Sequence, residues 1–249
     1  MDLTTGSLLA AGLLAGVFAL GVGNGKEAAE ASSQRRRWLV VSAAAGVSVA
    51  YVFVDLLPEL AAQNRVLREA AGESMQFAEQ RIYVLALLSF VVMYGLEHLV
   101  LARREHRRQT IEHGQRDAIY WLHLIGFAAY GALIGSLLVE RVERGPLSLA
   151  LYTFAMAVHF VVVNHSLSEE HGELYRLHGH WVLAASVLVG WGLGRIEPMS
   201  EAAFARLFAL LAGGVVITSL RAELPDDRRG RFWPFCLSAV GFSALLMFA

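Results

Sequence analysis

Eight apolar segments, each set off by charged residues, constrain this chain more than any other feature. They run Leu3–Val22, Trp38–Leu60, Ile82–Leu101, Ile119–Val139, Leu147–His165, Trp181–Leu193, Ala205–Leu220 and Phe232–Phe248. About 20 apolar residues in a helix cross the hydrocarbon core of a bilayer. Most of these segments are near that length, and with their polar flanks the sixth and seventh extend to 179–194 and 205–221. The expectation is an all-α, polytopic membrane protein whose eight spans form one transmembrane domain over residues 1–249. The first segment follows Asp2 rather than a basic stretch, so it reads as a mature helix and not a signal peptide.

Composition agrees. Hydrophobic residues make up 56% and charged residues 17%, against about 45–50% and about 25% in soluble domains. So apolar a chain is not intrinsically disordered, and one cysteine, Cys236, excludes a disulfide-built domain. The 21 basic and 22 acidic residues nearly cancel, so no net field attracts nucleic acid. The chain lacks Gly-x-Gly-x-x-Gly and Walker sequences and shows no recognisable serine triad. It reads as a non-enzyme.

Basic residues are unevenly shared among the loops. Fourteen fall in the first, third, fifth and seventh, and seven in the others. The odd loops are therefore expected in the cytoplasm, with both termini extracytoplasmic. The absence of targeting signals adds the expectation of a cell inner membrane. The segment Ala61–Arg81 mixes apolar residues with charge and is expected to carry a short amphipathic helix. Gly12–Gly16 and Gly131–Gly135 have small-x-x-x-small spacing, which serves packing within the bundle or a homodimer equally well.

Ionisable groups inside a bilayer are costly and usually have a partner or a task. Asp55 and Glu59 lie one turn apart on one helix face and form a candidate cation entrance. Glu97 and His98 sit near the inner end of the third helix. His123 on the fourth helix and His159 on the fifth are expected at similar depth, with Asn164 and His165 nearby. Imidazole suits zinc, copper, nickel and iron. The histidine- and acid-bearing inner segments, with His106, His113, Glu169, Glu170, His171 and Glu173, are read as cytoplasmic loops that collect cations. The bland alternatives are an interfacial carboxylate pair, histidines bonded across helices and solvated loops. An internal echo joins Asp55-Leu56-Leu57-Pro58-Glu59, ending the second span, to Glu223-Leu224-Pro225-Asp226, ending the seventh. Acidic-proline endings on opposite faces are what an inverted repeat would leave.

On these residues the chain resembles the ZIP family of divalent-metal transporters. Its second span matches the family's Leu-Leu-Pro-Glu ending, with Asp55 where a histidine is common. The fourth-helix motif of the family, His-Asn-x-x-Asp-Gly, meets His123-Leu124-Ile125-Gly126-Phe127-Ala128 here. The fifth, His-Glu-x-Pro-His-Glu, meets His159-Phe160-Val161-Val162-Val163-Asn164. The resemblance implies an eight-helix bundle with inverted-repeat character. It also implies a path between the fourth and fifth helices for zinc, iron, manganese or cadmium as substrate or ligand. His123 and His159 would carry that site, joined by Asn164, His165, Glu97 or His98. Two alternatives stay open: a non-transporting scaffold or metal sensor that keeps the fold, and a b-type haem protein with His123 and His159 as axial ligands.

Overall fold

The computed structural model describes residues 3–20, 31–71, 80–106, 113–196, 200–220 and 232–248. Among them no strand occurs. The helices are α1 (Leu3–Leu20), α2 (Ala31–Tyr51), α3 (Leu57–Ala71), α4 (Arg81–His106), α5 (His113–Glu143), α6 (Pro146–His171), α7 (His180–Ile196), α8 (Glu201–Thr218) and α9 (Phe232–Leu246). A π-turn, Val52–Leu56, joins α2 to α3 in one rod, and a second, Tyr175–Gly179, leads into α7. The described residues thus form eight rods, as the eight apolar segments predict.

Five stretches are long and apolar enough to cross a membrane: Leu39–Glu69, Arg81–Leu99, Tyr120–Glu143, Pro146–His171 and Glu201–Thr218. Only 11% of the α4 stretch is buried, against 50–61% of the other four, so α4 lies at the rim. Its Val84, Leu87, Leu88, Val91 and Val92 point away from the protein.

Several helices outrun the apolar segments that announce them. The amphipathic helix expected after the second span is its direct continuation, α3. Pro58 has no N–H to give to the helical ladder, and the turn immediately before it is widened to π spacing. The fifth span, expected to stop at His165, continues to His171. Gly172 ends it at φ 58°, where its N–H donates to the Ser168 carbonyl. Glu169, Glu170 and His171 are therefore helical rather than loop residues. His106 and His113 close α4 and open α5, and their side chains lie outside the described residues. The Glu223–Asp226 echo also lies outside them.

The core is one apolar cluster spread over all the rods. α5 packs most extensively on α7, α2 on α9 and α4 on α8, while α1 touches α5, α6 and α7. The α5–α7 crossing is close because of glycine. A Cβ at Gly135 would collide with the Val187 carbonyl, and one at Gly190 with the Ala132 carbonyl.

Candidate metal centre

His123 lies near the start of the apolar part of α5 and is 1% exposed. Its Nδ1 is 2.8 Å from His171 Nε2 and 3.7 Å from Glu170 Oε2, both in the last turn of α6. The three donor atoms fall within 4.8 Å of one another. Across the His123–His171 contact one ring nitrogen donates and the other accepts. His123 Nε2 is buried with no hydrogen-bond partner. A cavity of about 10 Å³ adjoins the cluster, lined by His123, Glu170, Glu97, Ser166 and Thr218 among others. That is room for about one water-sized occupant.

The surroundings fix the tip of α6 over α5. Ser166 Oγ donates to Glu170 Oε1 at 3.5 Å, one turn along the helix. Tyr120 stands edge-on to the His171 ring, centroids 5.1 Å apart, and its hydroxyl donates to the Leu174 carbonyl at 3.2 Å. The buried Tyr175 hydroxyl donates to Asn164 Oδ1. Burial pushes the Tyr175 phenol well above its ordinary range, so it remains a neutral donor. His180 Nδ1 contacts the Tyr175 carbonyl at 3.3 Å. Together these bonds tie the turn after α6 to the bundle.

The other expected residues go to different places. His159 is buried, but Tyr130 Oη and Thr218 Oγ1 approach its Nε2 at 3.1 and 3.3 Å. It is level with Tyr130, two helical turns along α5 from His123. The matched depth expected for His123 and His159 assumed that α6 ended at His165. With the helix running on, His171 is the α6 residue that reaches His123. Asn164 is buried against Tyr175, and His165 pairs with Glu169 at 3.2 Å on a half-exposed face. Glu97 lines the cavity. His98 is exposed and stacks on Tyr94. Glu173 is exposed. The cavity is far too small for a porphyrin.

At the opposite end of α5, Asp55 and Glu59 are both paired. Arg141 Nη2 donates to Asp55 Oδ2 at 3.0 Å, and Arg144 grips both Glu59 oxygens at 2.6 and 2.7 Å. Sequence reasoning counted both arginines only as loop charge. Nor did it find the roles of Tyr120, Tyr130, Tyr175 and Thr218, since no spacing rule links residues on different helices.

Chemically, two imidazoles and a carboxylate suit a borderline divalent cation such as zinc. Two nitrogens at zinc-bond length from one ion, at 90–110°, stand about 2.9–3.4 Å apart, so the observed 2.8 Å needs only a small opening. No protein-family model, curated protein or solved structure matches this chain.

Proposed function

We propose that this protein binds a divalent transition-metal cation at His123, Glu170 and His171 and carries it across a membrane in a ZIP-like manner. The carrying observation is the convergence of these three donors from α5 and α6 around a buried imidazole. The two helices are those between which the ZIP resemblance runs the path. Zinc is the first candidate substrate; iron, manganese and cadmium follow.

The helix neighbours support an inverted repeat. Exchanging the first three rods with the last three, and α5 with α6, turns the α4–α8 contact into α9–α2. It also turns α5–α7 into α6–α1 and α2–α6 into α8–α5, and these occur, whereas the α1–α5 contact has no α7–α6 counterpart of comparable extent. Such repeats suit alternating access by rocking of one helix set on another. The charge bias of the loops supports a cytoplasmic His123 end, and the proposed location is a cell inner membrane.

One observation favours the second reading, a metal-sensing scaffold. Between the His123 end and the Asp55 end the core is closed by aromatic side chains. The Phe18 and Phe160 rings lie 4.4 Å apart, and Tyr51 and Tyr152 pack at 6.2 Å. Proteoliposomes with a trapped metal indicator decide between the two. Saturable influx that disappears in His123→Ala and His171→Ala supports transport. Tight metal binding with no influx of zinc, iron, manganese or cadmium leaves the sensor.

A further inference from the structure

His123 and Arg141 are 18 positions apart on α5, about 27 Å of helix. That is close to the thickness of a hydrocarbon core, so the metal cluster and the Arg141 centre occupy opposite faces. Arg141 is 3% exposed. Its guanidinium lies over the Tyr152 ring at 5.1 Å and near the Phe208 ring at 5.9 Å. Asp55, its partner, sits in the π-turn, and Glu59, the partner of Arg144, lies in the first turn of α3. Gln63 Nε2 also donates to Glu59 at 2.6 Å. Two ion pairs thus fasten the end of α5 across the α2–α3 rod at the place where that rod is irregular.

The two pairs differ in kind. Arg141 is sunk among aromatic rings and anchored. The Arg144 side chain is 34% exposed against 4% for Arg141, so water and ions reach its guanidinium and compete for that pair, while the carboxylates run the other way, Glu59 at 15% and Asp55 at 25%. Behind the pairs, the Ser48 and Thr153 hydroxyls are buried with no hydrogen-bond partner. They belong to α2 and α6, which pack on each other. Unsatisfied buried hydroxyls gain when water enters.

We propose that the Asp55–Arg141 and Glu59–Arg144 pairs are a latch that shuts the Asp55 face of the cation path. The π-turn is the hinge on which α3 swings when the outer pair lets go. A divalent cation arriving at Glu59 competes with Arg144 for the same oxygens and so favours release. This deepens the transport reading and rests on it.

The test reads opening without reading transport. Ser48→Cys is introduced with Cys236→Ser, and the protein is placed in lipid nanodiscs, where both faces meet solvent. A water-soluble maleimide reports access to position 48, and Thr153→Cys is a second reporter on the facing helix. With the latch intact both label slowly. Adding Arg144→Gln or Glu59→Gln should speed labelling up to about fivefold with an unchanged size-exclusion profile. The charge exchange Glu59→Arg with Arg144→Glu should restore slow labelling. Fast labelling with the latch intact, or no acceleration when it is broken, overturns the latch. Metal influx is measured separately on the same variants. Labelling that follows the latch in a protein without influx would overturn transport and leave the gate.

Discussion

His123 Nδ1 and His171 Nε2 lie 2.8 Å apart although 48 residues separate them in the chain. The contact exists because α6 runs past the membrane-like part of its sequence and brings its last turn back to α5. If the pair holds a metal, its removal is felt more strongly than that of any other histidine. Loss of an outer-sphere partner costs roughly 10–100-fold in metal affinity, and His123→Ala or His171→Ala should exceed that. His165→Ala and His98→Ala should leave affinity unchanged. Zinc titration of the purified protein in nanodiscs measures this, and equal losses in all four variants would sink the site.

The arginines at the far end of α5 should separate in stability. Arg141→Gln leaves Asp55 facing a buried, uncharged side chain. The expected loss is about 3 kcal/mol, the low end for breaking a buried pair, since Asp55 keeps a quarter of its side chain exposed. Arg144→Gln should cost no more than about 1 kcal/mol. Denaturation in detergent, followed by tryptophan fluorescence, would show the difference; similar losses would mean Arg141 is not the anchor.

Glycines in the same chain should respond oppositely to added volume. Gly135→Leu and Gly190→Val push side chains into facing backbone carbonyls, and overpacking of this sort costs about 1–3 kcal/mol or more. Gly12→Ala and Gly16→Ala meet nothing within 4 Å and should be neutral or slightly stabilising. Thermal unfolding of the four variants checks the ranking. A dimer that uses α1 would appear as altered oligomeric state in the last two.

Tyr175→Phe removes the donor to a buried Asn164 oxygen, a loss of about 1–3 kcal/mol. Because burial raises the Tyr175 phenol, the folded protein resists its ionisation. The wild type should therefore lose stability as pH rises above about 10, where the unfolded phenol gives up its proton. The variant should lose less over that window. Urea unfolding between pH 8 and 11 follows both curves, and parallel curves would contradict the assignment.

The eight rods were legible because hydrophobic runs are local and the bilayer demands a fixed length of them. Helix ends were less so. Ser166, Ser168, Glu169 and Glu170 are polar, which marks where an apolar slab would stop but not where hydrogen bonding stops, and α6 continues to a glycine that can take φ 58°. That one boundary moved His171 from a loop to the cluster and separated His159 from His123. Glu97 was recognisable as an acid at the end of an apolar run, and it does line the cavity. The arginine partners of Asp55 and Glu59 were visible as residues but not as partners, since they lie 86 and 85 positions further along the chain.

By itself the sequence determined that this chain is helical, that its helices are apolar enough for a membrane, and which of them carry ionisable groups at cost. Those properties follow from composition and period, which each segment holds on its own. Only the tertiary structure decided which ionisable groups meet. His123 found His171 and Glu170, His159 found Tyr130 and Thr218, and Asp55 found Arg141. Pairing depends on how far each helix extends and how closely glycines let two backbones approach, and both are settled by packing between segments.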